Sequence, residues 1–102
     1  MRDLESTVME IIVNAGQARS LCFEALHAAR EGDFEQAQAL LKESDTFSRM
    51  AHRVQTELIE EDAGEGKMPM TLIMVHAQDH LMTAMLAREL IEEMIVLYQR
   101  QS

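Results

Sequence analysis

The stretch from Met70 to Leu97 constrains the fold most, because 18 of its 28 residues are apolar and they recur at helical spacing on two sides. The first stripe is Leu72, Val75, Asp79, Met82 and Leu86. The second stripe is Ile73, Ala77, Leu81, Ala84, Ile91 and Ile95. A short chain has only two other helices with which to cover such a helix, and they can cover one side of it. We therefore expect the other side to be buried between subunits.

Two breaks divide the chain into three helical segments, at about residues 3–31, 33–62 and 70–100. At the first break, Gly32 suits a left-handed position after a helix end, and Asp33 suits the N-cap of the next helix. Gln36 is placed to complete a capping box with Asp33. The second break, residues 63–69, contains two glycines and Pro69, and we expect Pro69 in the first turn of the third helix.

The composition predicts an all-α fold, since aromatic residues make up only 4% of the chain and Ala, Leu, Met, Glu and Gln dominate. A length of 102 residues corresponds to one domain spanning residues 1–102. Segment one carries a narrow seam of small residues that lets another helix approach closely. Gly16 lies beside this seam, and because glycine costs about 1 kcal/mol in a helix we expect either close packing or a functional contact there.

Charge and cysteine content exclude several classes of protein. The formal net charge of −9 argues against binding to nucleic acid or to an anionic membrane surface. No uninterrupted apolar run reaches the length of a membrane span, and the charged residues 2–5 do not suit a signal peptide. Cys22, the only cysteine, cannot form an internal disulfide. We therefore expect a cytoplasmic protein without membrane insertion.

The candidate chemistry lies in the third segment. His76, Asp79, His80 and Thr83 follow one another at i, i+3, i+4 and i+7, so on a helix they share one face. Polar groups in so apolar a segment are costly unless they satisfy one another. Such a cluster is often kept for function.

Three interpretations of this cluster remain open from spacing alone. The first is a structural network in which Asp79 fixes the register of a subunit interface. The second is a metal site, because His-x-x-Asp-His is similar to a metallopeptidase motif; it lacks the motif's glutamate and an evident third ligand. The third is a nucleophilic histidine that attacks a phosphoryl group, and spacing does not say whether this is His76 or His80.

The chain also resembles a known family over essentially its whole length. The motifs that carry the resemblance are Asn14-Ala15-Gly16-Gln17-Ala18-Arg19-Ser20, Ala51-His52-Arg53-Val54-Gln55-Thr56, Asp62-Ala63-Gly64-Glu65-Gly66-Lys67-Met68 and Val75-His76-Ala77-Gln78-Asp79-His80-Leu81-Met82. They resemble the enzyme IIA component of the lactose/cellobiose (diacetylchitobiose) class of the bacterial sugar phosphotransferase system. The glycine-rich loop favours the cellobiose/diacetylchitobiose branch.

The resemblance implies an antiparallel three-helix bundle that forms a homotrimer, with the third helices packed around the threefold axis. His76 would accept the phosphoryl group from the histidine-containing phosphocarrier protein and pass it to a cysteine of the cognate enzyme IIB, during uptake of a β-linked disaccharide. His80 would border this site. Asp79 from three subunits would bind a divalent cation, such as Mg²⁺, at the axis. A non-catalytic adaptor with the same fold is the alternative function.

Several other residues carry weaker expectations. Cys22 lies on the small-residue seam, where a buried and inert thiol is expected. We expect His27 on the surface and His52 to be packed, where His52 and Gln55 could help to shape the site. Arg19 or Arg53 could meet a phosphoryl group, but surface ion pairs are the more common role of such residues. The methionines are mostly core filler, and those near His76 could form an adaptable docking surface.

Overall fold

A computed structural model describes residues 3–102 and contains three long helices in that range and no strand. They are α1 (Leu4–Arg30), α2 (Phe34–Asp62) and α3 (Leu72–Gln101). The molecule measures 52 × 20 × 19 Å, and a helix of about 30 residues is roughly 45 Å long. Each helix therefore runs nearly the full length, and the short connections make consecutive helices antiparallel. The predicted all-α three-helix bundle is confirmed.

The turn between α1 and α2 forms as the sequence predicts, with one difference. Gly32 is left-handed at φ +84°, and its amide donates to the carbonyl of Ala29 at 3.0 Å. The Asp33 carboxylate accepts a hydrogen bond from the amide of Gln36 at 3.1 Å, which is the predicted N-cap. A capping box would also join the Asp33 amide to the Gln36 side chain. Here the Asp33 amide donates instead to the carbonyl of Ala28 at 2.9 Å.

The connection between α2 and α3 is closed by Asp62, whose carboxylate accepts a hydrogen bond from the amide of Met68 at 2.8 Å. The predicted loop is confirmed, but the placement of Pro69 in the first turn of α3 is wrong. Helix α3 begins at Leu72, because Thr71 is its N-cap and accepts a hydrogen bond from the amide of Met74 at 3.2 Å. A threonine hydroxyl can satisfy that orphan amide, whereas proline offers no such group.

Helix α2 ends on a strained residue. Ala63 is left-handed, with φ +50° and ψ +27°, and its amide donates to the carbonyl of Ile59. A Cβ in this conformation crowds the following carbonyl oxygen, which costs about 1–2 kcal/mol. Glycine, the usual residue at this position, avoids that cost.

We therefore expect Ala63→Gly to raise the free energy of unfolding by about 0.5–1 kcal/mol, part of the relief being offset by the greater freedom of glycine in the unfolded chain. Ala39→Gly is the matched control, because Ala39 is exposed inside the same helix, and there glycine should cost about 1 kcal/mol. Urea unfolding at one protein concentration measures both. A loss of stability in both variants would contradict the prediction.

The core lies along α1, which packs against both other helices, while α2 and α3 touch each other less. The predicted small-residue seam of α1 is buried at Val8, Ile11, Ala15, Ala18, Cys22, Ala25 and Ala29. Where α2 meets α3, an ion pair joins them, with a guanidinium nitrogen of Arg88 3.4 Å from the carboxylate of Asp45. Small side chains on α1 thus allow both neighbours to approach one central helix.

Helix α3 is buried on one side only. Its second stripe is buried at Ala77, Leu81, Ala84, Ile91 and Ile95. The first stripe lies outside the bundle, with Leu72 86%, Met82 54% and Leu86 55% exposed. The chain's own helices therefore cover one side of α3, as the sequence predicts. None of the helices within residues 3–102 is both long and apolar enough to span a membrane.

Cys22 is fully buried in this core. Its sulfur lies 2.9 Å from the Ser44 hydroxyl oxygen, and that hydroxyl donates to the carbonyl of Ala18 at 2.8 Å. Burial raises the pKa of the Cys22 thiol above its ordinary value of 9.0, while the hydrogen bond with Ser44 opposes the rise. The predicted burial is confirmed, and a protonated, enclosed thiol is a poor nucleophile.

We expect Cys22 to react with an aromatic disulfide reagent only when the chain unfolds, because the folded thiol is buried. We also expect the free energy of unfolding to fall at alkaline pH. The unfolded thiol loses its proton at a lower pH than the folded thiol, so this contribution to stability is intact below about pH 9 and is lost as the pH rises toward the higher folded pKa. Urea unfolding from pH 8 to 10 should show a shallower loss in Cys22→Ala than in the wild type. Equal slopes, or rapid labelling of native protein, would contradict this.

Candidate functional site

The buried side of α3 fixes how its polar residues are directed. Met74, Ala77 and Leu81 are at most 4% exposed and pack against α1 and α2 in one core cluster. A helix turns about 100° per residue, so residues between these anchors are directed away from the core. His76 and Asp79 are accordingly exposed, and His80 is half-buried at the border with α1.

The imidazole rings of His76 and His80 stack, as their i, i+4 spacing allows. Their centroids lie 5.8 Å apart, and the planes of the two rings differ by 16°. This distance is within the usual range for offset aromatic pairs. The structure therefore presents one exposed imidazole whose face is supported by a second, less exposed imidazole.

Gly16 of α1 lies directly opposite His80. A methyl group added at Gly16 would lie 3.4 Å from the Nε2 atom of His80, which is ordinary van der Waals contact, so only a side chain larger than methyl would compete with the imidazole for space. The predicted close contact at Gly16 is thereby confirmed. A groove of about 480 Å³ opens here between α1 and α3. It is lined by Gly16, Arg19, Ser20, Phe23, Glu24, His27 and His80.

Asp79 is separated from the two histidines. Within residues 3–102, no hydrogen bond or ion pair joins its carboxylate to either imidazole. Asp79 lies instead among the exposed residues of the first stripe, between Val75 and Met82. The cluster expected from spacing therefore divides into a histidine pair beside α1 and a carboxylate on the uncovered apolar face.

The part of the chain that the structure describes contains no group of three or more His, Cys, Asp or Glu side chains placed to hold a metal ion. His76 and His80 thus form a pair without a third ligand among residues 3–102. Asp79 contributes one carboxylate at this position.

The outcome for the other histidines is mixed. His27 is exposed, as predicted, and the structure adds that it lines the groove beside His80. The expected packing of His52 is wrong, because His52 is exposed and lines a surface pocket with Arg49 and Arg88. The adjacent Ala51 takes the buried position on α2, and the next residue is turned about 100° away from it.

The remaining candidate residues are Gln55, Arg19 and Arg53, and each lies in a different place on the bundle. Gln55 is buried and donates to the side-chain oxygen of Gln78 on α3, so it contacts α3 on a flank away from the stacked rings. The ion pair expected for Arg19 is replaced, among the described residues, by a cation–π contact with its guanidinium carbon 5.8 Å from the centre of the Phe23 ring. Arg53 is exposed.

Sequence reasoning missed Ser20 and Phe23 as groove residues. Their spacing of four and seven residues from Gly16 places them on one face of α1, which is a detectable signal. What the sequence does not show is that this face borders His80, because that depends on how α1 and α3 are rotated against each other.

Comparisons with known proteins agree with this architecture. The family described as "PTS system, Lactose/Cellobiose specific IIA subunit" matches residues 6–99. The N,N'-diacetylchitobiose-specific EIIA component of the PTS in Escherichia coli K12 is 57% identical over 98 residues, which are 96% of this chain and 84% of that protein.

Two solved structures are similar as well. The crystal structure of the PTS cellobiose-specific enzyme IIA from Bacillus anthracis superposes with a TM-score of 0.93 at 37% identity, over 99% of this chain and 93% of that one. The solution structure of the IIA(Chitobiose)–HPr complex of E. coli gives a TM-score of 0.86 at 54% identity, over 99% and 98%. The chain therefore belongs to the lactose/cellobiose-specific IIA family of the sugar phosphotransferase system.

Proposed function

We propose that this chain is a cytoplasmic phosphocarrier in which His76 accepts a phosphoryl group from HPr and passes it to a cysteine of a cognate enzyme IIB. The observation that supports it is the exposed His76 imidazole, which stacks on His80 at the open border of the α1/α3 groove. A phosphoryl acceptor must be reachable by two partners in turn. It must also be held in a limited range of orientations.

The transfer requires little covalent chemistry from the rest of the protein. One nitrogen of the neutral His76 ring attacks the phosphorus as the bond to the donor histidine breaks, and the other ring nitrogen carries the proton. In the second transfer, the cysteine thiolate of enzyme IIB attacks the same phosphorus, the bond from phosphorus to His76 breaks, and its electron pair returns to the His76 nitrogen. Positioning of the attacking and leaving atoms in line contributes most of the rate.

The relatives support the choice of partners and sugar. The complex with HPr formed by the E. coli chitobiose protein supports HPr as the donor. The relative that is 57% identical is specific for N,N'-diacetylchitobiose, and the B. anthracis neighbour is specific for cellobiose. We propose a β-linked disaccharide of this kind as the sugar of the uptake system.

His76→Gln should abolish phosphorylation and leave the fold intact, because an exposed imidazole contributes little to the core. The protein is mixed with phosphoenolpyruvate, enzyme I and HPr, and its intact mass is measured at alkaline pH, where phosphohistidine persists. The wild type should gain one phosphoryl group per chain.

His80→Gln is the matched control and should still gain the phosphoryl group, though more slowly. Phosphate on the His76 variant, or its loss only in the His80 variant, would refute the assignment of the acceptor. A folded wild-type protein that gains no mass would favour the adaptor function.

We also propose that the first stripe of α3 packs around a threefold axis in a homotrimer. An apolar face with Leu72, Met82 and Leu86 more than half exposed is larger than a helix normally leaves in water. Three copies of Asp79 would then converge within this interface. Because like charges repel strongly there, protonation or a divalent cation such as Mg²⁺ would be needed, and carboxylate oxygens suit that ion.

Asp79→Leu should retain or strengthen the trimer, because it removes a charge whose burial is costly. Leu86→Asp is the contrasting variant: Leu86 is exposed in the single chain, so a charge there should leave each bundle folded but dissociate the trimer. Sedimentation velocity with and without a chelator measures both. Dissociation of the Asp79 variant, or an intact trimer with Leu86→Asp, would contradict this arrangement.

A further inference from the structure

We infer that Gly16 and His80 form a positioning pair that orients His76, an inference that rests on the proposed role of His76 as the phosphoryl acceptor. Gly16 on α1 leaves room for the His80 imidazole, and His80 in turn supports the ring of His76. Neither Gly16 nor His80 needs to touch the phosphoryl group in this arrangement.

Gly16 is an unfavourable residue for the helix in which it lies. Glycine lies in the middle of α1, 12 residues after Leu4, with helix on both sides. There it is a weaker helix former than alanine, although the surrounding seam is rich in alanine. Its neighbour across the helix interface is the Nε2 atom of His80, 3.4 Å from where a methyl group would be. A larger side chain would therefore compete with the imidazole.

The two imidazole rings lie nearly parallel but differ in exposure. His80 is half-buried, because α1 limits its exposure on one side, whereas His76 is exposed. The two rings are nearly parallel, with 16° between their planes and 5.8 Å between their centroids. A ring held on one side by α1 thus restricts the orientations of the exposed ring on its other side.

The orientation of the His76 ring affects the rate of phosphoryl transfer. An unsupported histidine on a helix surface samples several rotamers, and only some of these place its nitrogen in line with the phosphorus. A shift of about 1 Å in an attacking group can lower a rate on the order of a hundredfold. Displacing His80 should therefore slow the chemical step without changing how tightly the donor protein binds.

The test is a double-mutant cycle on the full chain, with rapid-quench measurement of transfer from phosphorylated HPr at varied HPr concentration. His80→Ala and Gly16→Leu should each lower the maximum transfer rate on the order of tenfold to a hundredfold. The half-saturating HPr concentration should stay within about twofold of the wild type, since neither change alters the helix faces outside the groove. The Gly16→Leu/His80→Ala double variant should be no slower than His80→Ala alone, because Gly16 acts through His80.

Gly16→Ala is the control for folding. Alanine favours the helix and its methyl group would only reach contact distance, so this variant should be at least as heat-stable as the wild type. A spectroscopic signature accompanies the rates: His80→Ala and Gly16→Leu should shift the ring-proton resonances of His76 in the same direction, because the first removes the stacked ring and the second displaces it.

Three results would overturn the inference. The first is a wild-type maximum transfer rate in His80→Ala. The second is a double variant whose loss of rate equals the product of the two single losses. The third is a change only in the half-saturating HPr concentration, which would make position 16 part of a docking surface. Failure of the proposed function is separate, because it would appear as no phosphate on wild-type His76. The resonance shifts of His76 would still show whether Gly16 and His80 orient that ring.

Discussion

The rest of the structure depends on one constraint, which is that α3 carries apolar residues on two sides. Its side with Ala77, Leu81 and Ile91 is buried against α1 and α2, and burial of that side alone fixes the rotation of the helix. That rotation places His80 against α1 and leaves Asp79 on the uncovered stripe. The helix faces on which the candidate site residues lie are therefore a consequence of core packing.

The small residues of α1 have an energetic consequence. Ala15, Ala18, Ala25 and Ala29 are all at most 3% exposed, so much of the buried face of α1 consists of methyl groups. Alanine buries little apolar area, and at about 25 cal/mol per Å² such a seam contributes less than leucine or isoleucine would. The seam instead permits close approach of two helices.

The sequence predicts the helices and the core well and the borders of helix faces poorly. Strong signals such as Gly32 with Asp33, or the spacing of Ala77 and Leu81, depend on local geometry and apolar pattern alone. His52 fails because it lies one residue from Ala51, where about 100° of helix rotation separates a buried position from an exposed one. Pro69 fails because proline is tolerated at several positions near a helix start, and Thr71, two residues later, provides the cap.

The candidate site shows the same limit of prediction from sequence, because the residues that spacing groups together lie on two different faces of α3. On a helix, Asp79 lies about 60° from His76 and His80 about 40° from it, on the opposite side, so equal nearness in sequence leads to different surroundings. His80 reaches α1, and Asp79 reaches the stripe. If three stripes meet at one axis, three carboxylates approach the helix that carries an anionic phosphoryl group. In the proposed trimer, a cation or protons at the axis would lower this repulsion and would thereby couple the charge state of the subunit interface to the ease of phosphorylation at His76.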